Sequence, residues 1–210
     1  ERHDQNMKTV KNGHKRHIRL DAILLIIGVV CLSIFAGISY YNAMEEKRSR
    51  ETVQQLRSMR DVGIAPRVDS SQTDTEKQDA ITTSYERLFE ANADMIGWLN
   101  IPGTQIDYPV MQTLEDEEYY LRRNFYKEKD KNGCLLMDTD SDIHMAGANL
   151  IIHGHNMKSG DMFGTLQDYQ DQEYGMEHNK LYLYTRDEKR EYELIAVFFS
   201  KVYLQTDQVF

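Results

Sequence analysis

The 210 residues carry 25 Lys/Arg against 34 Asp/Glu, a formal net charge of −9, and two cysteines. The charge is unevenly placed: the first 21 residues hold six Lys/Arg and three Asp/Glu, a balance of +3, which leaves −12 for the rest. An acidic body of this kind argues against nucleic acid as a partner, because phosphates call for clustered Lys/Arg, and a single cysteine outside the apolar run argues against a disulfide-stapled fold.

Residues 1–21 read as a cytoplasmic tail, with Lys8, Lys11, Lys15, Arg16 and Arg19 ahead of an apolar run. That run, AILLIIGVVCLSIFAGISYY at residues 22–41, has twenty residues without a charge, and at about 1.5 Å per helical residue it spans roughly 30 Å. A buried core helix and a cleaved signal peptide are the competing readings. The run is longer than a usual signal-peptide core and has no good A-x-A site. The positive tail predicts an uncleaved signal anchor, single-pass in the cell membrane, with its N-terminus inside and the rest of the chain outside.

Residues 42–83 read as a juxtamembrane helix and a flexible linker. MEEKRSRETVQQLRSMR is rich in helix formers with a thin stripe of Val53, Leu56 and Met59, whereas residues 61–80 are dominated by Ser, Thr, Asp and Gln. The folded domain is placed at residues 84–210. Ser84 is a candidate N-cap for the helix YERLFEANADM. IGWLNIPGTQIDYPVMQ then predicts two strands joined at Pro102 and Gly103. EDEEYYLRRNF predicts a helix of about two to three turns, and KNGCLLMD a third strand. NLIIHGHN predicts a fourth strand of about six residues, GDMFGTLQDY a short helix, and KLYLYT a fifth strand. Past a turn at residues 186–189, REYELIAVFFSKVYL predicts the longest strand. Short strands outnumber helices, which points to a mainly β fold, a closed or partly closed barrel with peripheral helices.

Three groups can carry chemistry. Period two puts His153 and His155 on one strand face, and an H-x-H pair can bind zinc with a third ligand from His144, His178 or Asp138. A metal-dependent extracellular hydrolase is therefore one functional reading, and a non-catalytic envelope-binding module another. DTDSD, with Asp138, Asp140 and Asp142, resembles the opening of a calcium loop, but Ile143 stands where Gly is needed and Asn149 where Glu is needed, so it reads as a solvated acidic turn. Cys134 can be a nucleophile, yet its setting, GCLLM, reads as a small buried hydrophobe.

The pieces IGWLNIPGTQIDYPVMQ, YYLRRNF, GCLLMDTDSD and NLIIHGHNMKSGDMFGTLQDY, in that order and spacing, resemble class B sortases, the extracytoplasmic cysteine transpeptidases of Gram-positive bacteria. The similarity runs from about residue 85 to the last residue, and G-H-N-M followed by M-F-G is specific at this length. The resemblance implies a sortase-type β-barrel and a catalytic histidine at His155, with His153 as a wall residue. It implies no metal and no organic cofactor. It further implies, as partners, secreted proteins bearing a C-terminal sorting signal of the N-P-x-T-x type and an accepting amine of peptidoglycan. The family's cysteine sits in a T-L-S-T-C type segment and its arginine on the following strand. Neither matches a position here, since Cys134 lies in the third strand and Arg122 and Arg123 precede it. The expectation is a barrel incomplete at the C-terminus, inactive as it stands, with Met7 as the natural start.

Overall fold

The computed structural model describes residues 11–64, 84–145 and 149–200. The chain divides into two compact units, Glu1–Lys47 and Arg48–Phe210. In the first, helix α1 (Lys11–Ile64) begins and carries the apolar run with its side chains exposed, Leu25, Leu32 and Phe35 at 69–70%. It is a helix long and apolar enough to cross a membrane. The helix continues unbroken into the second unit through the expected juxtamembrane segment and residues 61–64, which the sequence assigned to a linker. The remainder of that linker lies outside the described residues.

The second unit is built on a six-stranded mixed sheet: β1 (Met95–Asn100), β2 (Asp107–Met111), β3 (Leu135–Met137), β4 (Ile152–His153), β5 (Lys180–Tyr184) and β6 (Lys189–Glu193). Their order is β4-β3-β2-β1-β5-β6, with β2 and β3 parallel and the other neighbours antiparallel. A helix α2 runs through residues 84–91, with Ser84 already helical rather than a cap. A 3-10 helix (Gly164–Gln170) and α3 (Gln172–Glu177) connect β4 to β5.

Both sheet faces are buried, and strand alternation divides the side chains between them. Trp98, Met111 and Leu136 join Leu56 of α1, Leu88 and Phe89 of α2, Tyr120 and Phe125 in one cluster. Their chain neighbours Leu99, Val110, Leu135 and Met137 join Ile101, Ile106, Met162 and Leu183 in the other. The last turns of α1 are also fastened by charge. Asp107 accepts from Arg60 at 2.7 Å and Arg57 at 3.1 Å, and the same carboxylate takes the Trp98 indole N–H at 2.6 Å and Asn100 at 3.1 Å.

Three expected elements differ. Residues 117–122 are successive turns rather than a helix, because the carbonyls an α-helix would use are taken elsewhere: that of Tyr120 by the Cys134 amide and that of Arg122 by the Asp130 amide. The fourth strand shrinks to Ile152–His153, since past Gly154 the chain turns back and Asn156 bridges to Met162 instead of β3. The expected longest strand ends at Glu193. Beyond it Ile195, Phe198 and Phe199 are 72–98% exposed, and residues 201–210 of that prediction lie outside the described residues.

Candidate functional site

His155 is held by three backbone contacts that the surrounding sequence prepares. Gly154 precedes it, and a Cβ there would come within 2.5 Å of Leu135 and 2.6 Å of Phe163, so only glycine lets the chain lie this close to the sheet. The His155 carbonyl accepts from the Phe163 amide at 2.9 Å, and its Nε2 lies 2.9 Å from the Leu121 carbonyl oxygen. A carbonyl only accepts, so Nε2 carries the proton and Nδ1 is the nitrogen left to exchange one.

The segments around it explain the two sequence signatures. After G-H, Asn156 accepts from the Gln167 amide at 2.8 Å. Met162 is buried with a positive φ of 54° and gives its amide to the Tyr108 hydroxyl at 3.1 Å. Gly164 follows Phe163 because a Cβ would strike the Met157 carbonyl. G-H-N-M and M-F-G are thus the two arms of one loop that closes on His155. The loop is tied to α1 by Arg50, which reaches both oxygens of Asp161 at 3.1 and 3.2 Å. On the other side, Gly133 adopts φ 61° against the Tyr120 and Leu121 carbonyls, and any side chain there would displace the acceptor of His155.

The remaining candidates separate. His153 does not share a site with His155. Its Nε2 lies 3.2 Å from Asp138 and 3.9 Å from Glu117, whereas His155 turns to Leu121. Of the third ligands expected for a zinc site, only Asp138 is near His153. The His178 ring is bonded at 3.1 Å to the Pro102 carbonyl, and His144 is exposed, its amide given to Asp142. The expected H-x-H metal pair is therefore not formed, because the strand that would have put both rings on one face stops at His153. DTDSD is a turn that bonds itself: Asp138 accepts the Asp140 amide, and Asp142 that of His144. Cys134 is buried in the core, and burial, with the Asp130 carboxylate nearby, pushes its thiol far above the ordinary range. Arg123 stacks on the Tyr119 ring at 4.3 Å and donates to its carbonyl, while Arg122 is exposed. Sequence reasoning missed the Leu121 carbonyl, since a backbone acceptor has no side-chain signature, and it missed Glu117.

The family model for the sortase domain matches residues 99–208. Sortase B of Listeria monocytogenes is 30% identical over 175 residues, covering 83% of this chain and 67% of that protein. Sortase B of Staphylococcus aureus is 26% identical over 164 residues, covering 78% and 62%. The crystal structure of sortase B from Bacillus anthracis matches with a TM-score of 0.62 at 30% identity, over 78% of this chain and 73% of that one. The chain spans about two thirds of the length of the two curated relatives.

Proposed function

The chain belongs to the sortase family, in its class B, and from that premise we propose that it is a membrane-anchored cysteine transpeptidase whose proton-transfer group is His155. Its sheet is the curled half-barrel of that fold, with helices around it. The observation that carries the role of His155 is the hydrogen bond from Nε2 to the Leu121 carbonyl, which fixes the ring and leaves Nδ1 to give and take a proton.

In the proposed reaction a thiolate attacks the threonyl carbonyl of an N-P-x-T-x sorting signal on a secreted protein. As the tetrahedral intermediate collapses, the C–N bond breaks, the imidazolium gives its proton to the departing amine, and a thioester remains. The neutral imidazole then takes a proton from an amine of peptidoglycan as that amine attacks the thioester, and the thiolate leaves. An arginine stabilises the oxyanion in both halves. Neither the thiolate nor the arginine is assigned to Cys134, Arg122 or Arg123. The apolar part of α1 is the anchor, with the basic tail inside and the sheet outside.

The test is turnover of a quenched N-P-x-T-x peptide, with and without an amine acceptor, by protein expressed from its complete reading frame. His155→Ala should lower both hydrolysis and transfer by at least about 100-fold, whereas Cys134→Ala should leave turnover unchanged. A Cys134→Ala variant that folds and has lost all turnover would overturn the assignment.

A further inference from the structure

We propose that Glu117, Asp138 and His153 form a surface site for a divalent transition metal of the Zn2+ class. One donor atom from each residue lies within 4.8 Å of the other two. The His153 Nε2 is 3.2 Å from Asp138 Oδ2 and 3.9 Å from Glu117 Oε1. Ligands bound to one zinc ion at about 2.0–2.2 Å stand roughly 3.3 Å apart in a tetrahedron, so movements of a few tenths of an ångström bring these three around one ion. The far oxygen of each carboxylate is already held by a group outside the trio: Glu117 Oε2 by the Thr139 hydroxyl at 3.1 Å, and Asp138 Oδ1 by the Asp140 amide at 2.9 Å. The near oxygens are thereby aimed at the imidazole.

The imidazole selects the metal class. Calcium takes six to eight oxygens and magnesium keeps most of its water, whereas one nitrogen and two carboxylate oxygens suit zinc, with water completing the shell. All three side chains are partly exposed, at 48%, 42% and 21% for His153, Glu117 and Asp138, which leaves an open approach. The site joins three separate segments: Glu117 opens the turns at 117–122, Asp138 follows β3, and His153 ends β4. Because Leu121 in those turns supplies the acceptor for His155, a bound ion would brace the segment that orients this ring. Binding at the trio does not depend on the proposed transpeptidase activity and is read without it.

The experiment titrates ZnCl2 by calorimetry into the full 210-residue chain in detergent micelles, beside Glu117→Gln, Asp138→Asn, His153→Gln and the triple variant. One Zn2+ is expected above the binding of the triple variant, and each single substitution should weaken it at least about tenfold. Retention of full affinity in any single variant, or no binding beyond the triple variant, would overturn the site. Zinc-edge X-ray absorption on the parent chain needs no variant: a shell of oxygens with one imidazole supports the trio, and two or more imidazoles place the ion elsewhere. Amide exchange over residues 117–122 should slow with Zn2+ in the parent and not in Glu117→Gln, and unchanged exchange in the parent would remove the brace.

Discussion

Asp107 and Asp138 are both carboxylates set among nitrogen donors, yet the two centres differ in their balance of groups. Around Asp107 the donors outnumber the acceptor: Arg57, Arg60, the Trp98 indole and Asn100 all converge on one side chain that is 15% exposed. Around Asp138 the acceptors are in surplus, with Glu117 beside it and one imidazole facing both. A centre whose acceptor is saturated by its own chain can only hold that chain together. An exposed centre with acceptor capacity left over can take something from solution. The contrast separates a structural fastening, which ties α1 to β1 and β2, from a surface open to a ligand.

The largest expected effect comes from breaking the saturated centre. Asp107→Ala leaves the Arg60 guanidinium without its main partner over the Trp98 ring, 5.1 Å away, and leaves the indole N–H unpaired. Removing one partner of a largely buried pair costs about 3–5 kcal/mol, and thermal unfolding should fall by roughly 10 °C. A loss under about 1 kcal/mol would show that the donors find other partners and that the fastening is weak. By contrast, the exposed pair of Arg48 and Glu128, 2.8 Å apart with side chains more than half exposed, should cost no more than about 1 kcal/mol when broken.

How far each centre could be read in advance follows from the kind of contact that makes it. Strands β1, β2, β3 and β5 were legible because their alternation, as in Trp98 against Leu99, reports two buried faces without any knowledge of partners. Cys134 was legible as a core residue from the apolar run after it, and His155 from the family resemblance. The segment at 117–122 was misread because its composition favours a helix, and what overrides composition is distant: Cys134 and Asp130 take its carbonyls. The last strand was misread for a related reason. Apolar residues from Ile195 to Phe199 carry a strand-like pattern, but among the described residues nothing pairs with them beyond Glu193. The Asp107 centre joins residues 47 and 50 positions apart, and no local pattern marks such a pairing.

A smaller effect is expected where the open surface rests on its packed floor. Gly154→Ala places a methyl against Leu135 and Phe163 at contacts near 2.5 Å, and both belong to the packed core rather than to flexible surface groups. Overpacking of this kind costs about 1–3 kcal/mol. The displaced chain is that of His155 itself, so turnover in the complete protein should fall more than stability does. Full activity together with an unchanged melting temperature would mean that the floor yields freely and that the His155 geometry is not set there.

The smallest effect, and the one that sharpens the contrast most, is the titration of Asp138. Its carboxyl is held below the usual carboxylate range, first by the Asp140 amide and then by the His153 ring. A depressed carboxyl favours the folded state above the unfolded value of about 3.9 and loses that contribution as pH falls through the folded value, so the window lies below about pH 4. Between pH 5 and 8 this group should make no difference to stability. Carbon-detected NMR of the Asp138 carboxyl, in metal-free buffer, should show it titrating below ordinary aspartates. In His153→Ala it should rise only part of the way, because the amide remains. A return to the ordinary value in that variant would mean that the imidazole alone holds the carboxylate, and that the trio is a self-contained ion cluster rather than an open surface with acceptor capacity to spare.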